Sequence, residues 1–431
     1  MRIVTFAIIA ILLNTGCSTK QAELTNEALM DSVQYRTFKY FWDAAEPSSG
    51  MARERYHIDD PENDKQIVTS GGSGFGIMAL IVGMERGFIT RKEGVERFEK
   101  IINFIENAET FHGAFPHWWN GETGKVKSFS RKDNGGDLVE TAFLIQGLLA
   151  AHQYFINGNN SEKNLAQRID KIWKNVEWTW YQNEQNVLFW HWSPNYQWEM
   201  NFPIRGYNEC LITYILAASS PTYGVQAEVY HQGWAENGAI KNPHETSGYK
   251  LNLRYQVKYS PLFWTHYSFL GLNPTGLEDS YTNYFEEMKN QTLINRDYCV
   301  KNPKEYKGYG ENCWGLTASY SVNGYHAHAP NENDDKGVIS PTAALSSIVY
   351  TSEQSLQVMR HLYNMGEKVW GPYGFYDAFS ETDEWFPQRY LAIDQGPIVV
   401  MIENYRTQLL WNLFMSHPDI KKGLSLLDFS F

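Results

Sequence analysis

Cysteine is scarce in this chain, with four in 431 residues. A disulfide-built scaffold is therefore excluded, because such scaffolds are small domains with dense, paired cysteines. Cys299 and Cys313 could form one bond in an exported protein, but free thiols are the expectation. Cys210 follows Glu209 inside an apolar run, so we expect a packed thiol at that position.

Positively charged residues are also fewer than negatively charged ones. The chain has 37 Lys and Arg against 49 Asp and Glu, which gives a formal net charge of −12. The basic residues are scattered, and aromatic residues do not alternate with them as they do in grooves that bind single strands. Nucleic acid and an anionic membrane surface are therefore excluded as partners, and a neutral or basic ligand fits better.

Long uninterrupted apolar runs are missing as well. The apolar run over residues 3–13 follows Arg2 but is too short to span a bilayer, which takes about 20 residues in a helix. It leads into the sequence Asn-Thr-Gly-Cys at residues 14–17, which resembles a lipoprotein cleavage site. We predict a lipoprotein signal peptide over residues 1–17, followed by a polar tether over residues 18–28.

This pattern predicts an exported protein that is anchored by a lipid on Cys17, on the periplasmic face of a Gram-negative envelope. Membrane contact would be made through that lipid alone. An ordinary signal peptide with a coincidental cysteine is the alternative.

Alternation with a period of two, typical of strands, is rare. Helical segments are instead either apolar on every face, as over residues 77–84 and 137–155, or amphipathic, as over residues 91–108 and 353–365. A helix that is apolar all round belongs inside a fold, and one with a single apolar stripe belongs outside. About twelve such segments over residues 29–431 predict a single all-α domain, an (α/α)6 barrel of six inner and six outer helices. The inner helices are expected to start near residues 71, 135, 205, 261, 341 and 392.

Four carboxylic acids lie near these predicted starts: Asp137, Glu140, Glu209 and Asp394. Helix starts converge on one end of such a barrel, so we expect these side chains to line one cleft. Cleavage of a glycosidic bond requires one carboxyl group that holds a proton and one that is ionised. Glu209, beside aromatic residues that would raise its pKa, is the predicted general acid, and Asp394 is the predicted base. Asp137 and Glu140 would orient sugar and water, whereas Glu403 is expected to be a buried, paired acid.

Tryptophan is abundant, with 15 in the chain, and flat aromatic rings suit the C–H faces of sugars. Trp173 and Trp178 sit at helical spacing and are expected in the core, whereas loop-like segments carry other candidates, including Trp118 and Trp314. The predicted substrate-binding residues combine loop aromatics with nearby polar side chains: Trp119, Trp190, Trp192, Arg205, Tyr207, Asn208, Tyr325, His326 and Trp385.

Two parts of the sequence resemble metal-binding motifs, but each lacks residues that the motif requires. Residues 331–337 resemble a calcium loop, but Lys336 replaces the required Gly and Thr342 the terminal Glu. His112 and His117 have no cysteine or carboxylate at ligand spacing in the sequence. We therefore expect neither a metal nor a cofactor.

Several segments combine glycine or proline with acids and aromatics: GFG at residues 74–76, GGDLVET at 135–141, GYNE at 206–209, GLTAS at 315–319, PTAA at 341–344, GPYGFYDAF at 371–379 and the stretch 394–404. Together they resemble glycoside hydrolase family 144, the glucoamylase-like proteins that include bacterial endo-β-1,2-glucanases. The resemblance covers nearly the whole chain after the predicted tether.

The resemblance implies an (α/α)6 fold and an inverting hydrolysis of β-glucan without a metal, with internal cleavage of β-1,2-glucan as the main expectation. The resemblance implies that Asp137, Glu140 and Glu209 match acids important for activity in the family. It further implies that Asp394 is the catalytic base. The implied partner is a glucan or gluco-oligosaccharide.

Three other functions remain open at this point. An exo-acting glucosidase could use the same fold. A non-catalytic glycan-binding lipoprotein would need aromatic platforms but no converging acids. A polysaccharide lyase would need a cationic group to neutralise its uronate substrate, and the acidic balance of the chain counts against it.

Overall fold

The computed structural model describes residues 24–255 and 259–431. The predicted signal peptide and Cys17 lie outside the described residues. The first helix begins at Asn26, inside the range predicted as a tether. The protein is mostly helical, with 46% of residues in helices.

Twelve α-helices are found in the described part of the chain, and they are α1 (Asn26–Asp43), α2 (Ser70–Glu85), α3 (Arg91–Asn107), α4 (Leu138–Phe155), α5 (Asn160–Lys174), α6 (Leu211–Ser219), α7 (Tyr284–Lys301), α8 (Pro341–Leu345), α9 (Ser352–Asn364), α10 (Ala392–Thr407), α11 (Leu409–Ser416) and α12 (Pro418–Leu426). Single 3-10 turns span Trp180–Gln182, Glu236–Gly238, Leu262–Thr265, Tyr267–Leu270 and Gly366–Lys368, and a π-helical turn spans Val229–Trp234.

Thirteen short strands join these helices within the described ranges: β1 (Arg55–His57), β2 (Ile67–Thr69), β3 (Trp118–Asn120), β4 (Val126–Lys127), β5 (Gly136–Asp137), β6 (His191–Trp192), β7 (Lys241–Thr246), β8 (Tyr249–Leu253), β9 (Ala318–Ser321), β10 (Gly324–Ala327), β11 (Trp370–Gly371), β12 (Gly374–Phe375) and β13 (Arg389–Leu391). All pairings are antiparallel: β1 with β13, β2 with β3 and β3 with β4, β5 with β6, β7 with β8, β9 with β10, and β11 with β12. The all-α prediction missed these small sheets, because strands of two to six residues are too short to show a period in the sequence.

Local sequence explains where the outer helices begin. Helix α3 starts with a capping box, in which Thr90 accepts a hydrogen bond from the Glu93 backbone N–H and Glu93 accepts one from Thr90. Helix α5 starts in the same way with Asn159 and Glu162. Each box satisfies backbone donors that a helix start leaves without partners.

The buried helices α2 and α4 lie in backbone contact, and glycine makes that contact possible. A Cβ on Gly74 would lie 2.2 Å from the Phe143 carbonyl oxygen, and a Cβ on Gly147 would lie 2.2 Å from the Gly74 carbonyl oxygen. Helix α2 also packs against α10, and α4 against α6, while α1, α3 and α5 cover their outer sides. Within the described residues, no helix is long and apolar enough to cross a membrane.

Several predicted details of the core are confirmed. Trp173, Trp178 and Cys210 are fully buried. Glu403 is a buried acid paired with Arg86, which donates two hydrogen bonds to it at 2.7 and 3.0 Å. Cys299 and Cys313 are both free, as expected.

The segment expected to form an inner helix from residue 261 is instead two 3-10 turns, Leu262–Thr265 and Tyr267–Leu270. Side chains of neighbouring elements donate hydrogen bonds to the backbone carbonyl groups of this segment. Tyr207 Oη donates to the carbonyl of Trp264, and Tyr350 Oη donates to that of Thr265. Gln146 Nε2 donates to the carbonyl of Tyr267, and Trp411 Nε1 donates to that of Phe269. An α-helix would need many of these carbonyls for its own hydrogen bonds. The helix expected near 205 likewise begins later, at Leu211.

We predict that Gly147→Ala will lower the free energy of unfolding by about 1–3 kcal/mol, because the added methyl group has no space against the Gly74 carbonyl. Urea denaturation would measure the change. Gly310→Ala is the matched control, since a Cβ there meets no atom within 4 Å. Equal stability of the two variants would contradict a tight contact between α2 and α4.

Candidate active site

The starts of α2, α4 and α10 and the turn before α6 surround one cavity of about 450 Å³. Three carboxylic acids line it: Glu54, Glu140 and Glu209. Aromatic rings form most of the remaining wall, and they belong to Trp118, Phe129, Phe143, Trp190, Phe263, Tyr267, Tyr320 and Tyr325. The cavity thus combines acids with flat apolar faces, as the sequence predicted.

Asp137 is the N-cap of α4. Its Oδ1 accepts hydrogen bonds from the backbone N–H groups of Val139 and Glu140, at 3.0 and 2.9 Å. Its Oδ2 accepts from Trp190 Nε1 at 3.2 Å and lies 3.0 Å from His117 Nδ1. Because the side chain is fully buried, Asp137 orients these two cavity residues rather than lining the cavity itself.

Glu140 lies in the first turn of α4 and reaches across to α2. Its Oε2 accepts a hydrogen bond from the Gly71 N–H at 2.7 Å, and its Oε1 lies 4.0 Å from His117 Nε2. Burial raises the pKa of Glu140, and the negative charge of Asp137 adds to the rise. His117 and the Gly71 N–H oppose it, and the resulting pKa is about 7.

His117 supplies a positive charge next to Glu140. Burial alone would lower its pKa, but the carboxylates of Glu140, Asp137 and Asp133 outweigh burial and raise the pKa to about 9. The ring is therefore an imidazolium at neutral pH, stacked on Phe129 with 4.2 Å between ring centroids. It favours the ionised form of Glu140.

Glu209 lies in the turn before α6, half-buried in the cavity wall. Burial raises its pKa to about 7. Its own backbone N–H opposes the rise, and the negative charges of Glu140 and Asp137 add to it. Glu209 therefore holds its proton more readily than an exposed glutamate, as a general acid must.

Asp394 is in the first turn of α10, as predicted, but it does not line the cavity. The residue is only 1% exposed, and no N–H group and no Ser, Thr or Tyr hydroxyl among the described residues donates to either carboxyl oxygen. The prediction that Asp394 faces the cleft is therefore wrong. Its backbone neighbour Ile393 points into the cavity instead, because consecutive residues of a helix face different directions.

Asp394 is paired with a second buried acid, Asp377. Asp377 Oδ2 accepts the Tyr320 backbone N–H at 2.7 Å. The two carboxyl groups can hydrogen-bond to each other only if one of them carries a proton. Burial raises the pKa of Asp377 to about 6, and burial together with Asp377 raises the pKa of Asp394 well above its usual range. Asp394 thus holds a proton more readily than an exposed aspartate does, which does not suit a base.

Two of the nine predicted substrate-binding residues, Trp190 and Tyr325, line the cavity. His326 lines a second cavity of about 470 Å³, which shares Tyr325 with the first. Tyr325 is 58% exposed on the hairpin of β9 and β10, so this hairpin separates the two cavities.

Trp119 and Tyr207, both predicted to bind substrate, are fully buried instead. Trp119 Nε1 donates to the Glu109 carbonyl, and Tyr207 Oη donates to the Trp264 carbonyl. Neighbouring residues of a strand face opposite sides, so on β3 it is Trp118 that faces the cavity. The sequence pair could not indicate which of its two rings does so.

Four further predicted substrate-binding residues do not line either cavity. Arg205 donates to backbone carbonyls of Gln232 and Gly233. Asn208 is buried and accepts the Cys210 N–H. Trp192 packs edge-on against His112 and Trp180, and Trp385 closes a small turn by pairing with Ser380.

The sequence analysis missed Glu54 and Arg55, which line the cavity next to each other as an ion pair. Burial raises the pKa of Glu54, and the positive charge of Arg55 opposes that rise. The Arg55 guanidinium also lies over the Trp118 ring, 5.8 Å from its centroid. The three consecutive charged residues at 53–55 were the available signal.

His117, Asp133 and Asp137 form a group of possible metal ligands with donor atoms within 4.8 Å of one another. His117 Nδ1 and Asp137 Oδ2 are 3.0 Å apart, which is a hydrogen-bond distance. Because these carboxylates and Glu140 raise the pKa of His117 to about 9, the imidazolium supplies the proton for this contact at neutral pH. The sequence did not reveal the group because only the folding of the segment between β3 and β5 brings His117 to the two acids.

Carboxyl groups that face aromatic rings in a mostly helical domain are the arrangement of a glycoside hydrolase. A family model described as "Putative glucoamylase" matches residues 201–418. The chain belongs to this glucoamylase-like family, glycoside hydrolase family 144.

Among curated proteins, the exo beta-1,2-glucooligosaccharide sophorohydrolase (non-reducing end) of Parabacteroides distasonis is 48% identical over 421 residues, or 93% of this chain. The chain spans 58% of the length of that relative. An endo-beta-1,2-glucanase from Chitinophaga pinensis, solved with sophorotriose and glucose, is 64% identical with a TM-score of 0.94, over 95% of this chain and 99% of that chain. A "putative glucoamylase" from Bacteroides caccae is 69% identical with a TM-score of 0.93, over 94% of this chain and 100% of that chain.

We predict that Asp394→Asn will make the protein more stable at alkaline pH. A carboxyl group with a raised folded pKa stabilises the fold below its unfolded pKa, about 3.9, and this stability is lost as pH rises through the folded pKa. For Asp377 that value is about 6. An amide at position 394 can donate to ionised Asp377, so the variant should avoid much of this loss.

The melting temperature of the variant should exceed that of the wild type by about 1–3 °C at pH 8 and by less at pH 5. Asp59→Asn, an exposed acid, is the control and should show no such pH-dependent gain. A gain that is the same at both pH values would argue against a shared proton between Asp377 and Asp394.

Proposed function

We propose that this protein is an endo-β-1,2-glucanase that hydrolyses β-1,2-glucan with inversion at the anomeric carbon. The observation that carries the proposal is the cavity itself, in which Glu209 and Glu140, both with a pKa of about 7, face a wall of aromatic rings. Similarity at 64% identity to an endo-beta-1,2-glucanase over nearly the full length of both chains supports the substrate and the internal cleavage.

The architecture proposed for this activity is an (α/α)6 barrel. Its inner ring would run through α2, α4, α6, the 3-10 segment 262–270, α8 and α10. Contacts of α10 with α2, α8 and the 3-10 segment support ring closure, as does the 2.9 Å hydrogen bond between His266 Nε2 and Ser347 Oγ. The outer ring would consist of α1, α3, α5, the turn Val229–Trp234, α7 and α9.

Glu209 is the proposed general acid. It donates its proton to the glycosidic oxygen as the bond from that oxygen to the anomeric carbon breaks. The charged groups that act on Glu209 are the carboxylates Glu140 and Asp137, and both favour retention of the proton until the sugar is bound.

Glu140 is the proposed base, in place of Asp394. It lines the cavity, and the imidazolium of His117, 4.0 Å away, favours its ionised form. Glu140 takes a proton from the water molecule that attacks the anomeric carbon from the face opposite the leaving group. Asp137 holds His117 and Trp190 in place for this step.

The aromatic wall would position the glucan chain. Trp118 and Trp190 offer faces for sugar rings, and Tyr325 stands between the first cavity and the more open second one. A polymer that passes Tyr325 would occupy both cavities, which fits internal cleavage of a long chain.

Release of disaccharides from a chain end is the second candidate, and similarity to the Parabacteroides distasonis sophorohydrolase favours it. Product sizes from β-1,2-glucan separate the two, because internal cleavage gives a mixture of oligosaccharides from the first minutes, whereas end-wise cleavage gives only disaccharide. Other glucans should yield no product.

Export as a lipoprotein is proposed from the residue pattern of positions 1–17. Membrane contact would come through a lipid on Cys17, with the catalytic domain over residues 29–431 on the periplasmic side. Labelling of the full chain with a fatty-acid analogue, against Cys17→Ala, tests this part independently of the activity.

We predict that Glu209→Gln and Glu140→Gln will each lower kcat on β-1,2-glucan by about 10²–10⁴-fold, since each removes a proton-transfer group. Oligosaccharide binding, measured by calorimetry, should persist. Asp394→Asn is the matched control and should keep most of the activity.

If Asp394→Asn loses as much activity as Glu140→Gln, then Asp394 is the base and Glu140 only orients the substrate. If Glu209→Gln remains fully active, the proposed acid is wrong. Binding of glucan without turnover by the wild type would favour a glycan-binding protein.

We predict a narrow, bell-shaped dependence of kcat/KM on pH, centred near 7. Activity falls at higher pH as Glu209 loses its proton and at lower pH as Glu140 gains one, and both groups have a pKa of about 7. Initial rates from pH 5 to 9 would test this. A flat profile across that range would contradict the assignment of both roles.

A further inference from the structure

Away from the catalytic cavity, three side chains with metal-ligating atoms meet. Cys313 lies in the loop between α7 and β9, His361 in the last turn of α9, and Glu381 in the loop between β12 and β13. The thiol sulphur, one ring nitrogen and one carboxylate oxygen all lie within 4.8 Å of one another. Segments from three distant parts of the chain therefore converge on one point.

The spacing of these atoms suits an ion better than a direct bond. No hydrogen bond or ion pair of the His361 or Glu381 side chain is found within the described residues, so the ring nitrogens of His361 and the carboxyl oxygens of Glu381 do not bond to each other directly. Donor atoms bound to one zinc ion at 2.0–2.3 Å lie about 3.3–3.8 Å from one another, so atoms that are within 4.8 Å of one another need only a small closure to reach the same ion. Small rotations of the three side chains would thus bring all three donor atoms to one metal ion.

We propose that Cys313, His361 and Glu381 bind one Zn²⁺ ion. Thiolate sulphur, imidazole nitrogen and carboxylate oxygen are the donors that zinc takes in proteins, and together they favour zinc over calcium or magnesium. Cys313 is buried, while His361 and Glu381 are half-exposed. The exposed side gives the ion a path of entry and a place for water as the fourth ligand. On binding, the Cys313 thiol loses its proton to solvent as the sulphur–zinc bond forms.

The ion would hold one wall of the second cavity. Glu381 is followed by Thr382 and Asp383, which line that cavity together with Tyr325 and His326. Zinc would tie this loop to the end of α9 and to the turn that ends at Cys313. The site is thus structural, and it is separate from the acids of the first cavity.

Zinc content and affinity of the full chain test the proposal without any measurement of activity. Protein stripped with a chelator and titrated with ZnCl2 in a calorimeter should bind one ion per chain, and its melting temperature should rise with zinc. Substitution with Co²⁺ should give a thiolate-to-cobalt charge-transfer band in the near ultraviolet, which reports bonding to Cys313.

Glu381→Gln should weaken zinc binding by at least about tenfold, while Glu384→Gln, an exposed acid of the same loop, should leave it unchanged. Cys313→Ser should abolish the cobalt band. His361→Gln gives a second, surface-accessible test if Cys313→Ser folds poorly. Less than one zinc per chain in the wild type, or equal zinc affinity in the Glu381 and Glu384 variants, would overturn the site.

Discussion

The contact between α2 and α4 is the constraint on which the rest of the structure depends. Gly74 and Gly147 let the two backbones touch, so the starts of both helices lie side by side. Glu140 on α4 can then accept the Gly71 N–H at the start of α2, which places its carboxylate in the cavity wall. The same proximity holds Glu140 near His117. The lack of a side chain at Gly74 and Gly147 thus determines where the carboxyl group of Glu140 lies.

The buried acids of this protein have different chemistry because their neighbours differ. Glu403 is neutralised by Arg86 and holds helices together. Glu140 faces the imidazolium of His117, whereas burial and the carboxylates of Glu140 and Asp137 raise the pKa of Glu209 to about 7 with no cation among the causes. Asp377 and Asp394 form no ion pair within the part of the chain that the structure describes, and burial raises the pKa of both. Residue type alone is therefore a poor guide to role, and the sign of the nearest charge is a better one.

Long helices were predictable because their periodic patterns extend over several turns. The segments predicted over 91–108 and 137–155 correspond closely to α3 and α4. The 3-10 conformation of the segment from residue 261 was not predictable, because side chains from other parts of the chain donate hydrogen bonds to its backbone carbonyl groups. Two- and three-residue strands such as β5 and β6 exist only because a distant partner pairs with them. The local sequence pattern therefore predicted the long α-helices, whose backbone hydrogen bonds form within the same segment.

The sequence by itself determined the mostly helical class, the family, and the placement of Asp137, Glu140 and Glu209 near helix starts, because capping, periodicity and motifs are local properties. Only the tertiary structure decided that Trp118 rather than Trp119 faces the cavity, and that Asp394 turns away from it towards Asp377. It also brought Cys313, His361 and Glu381 together. The direction of a side chain and its charged neighbours depend on how distant segments pack, which no single stretch of sequence contains.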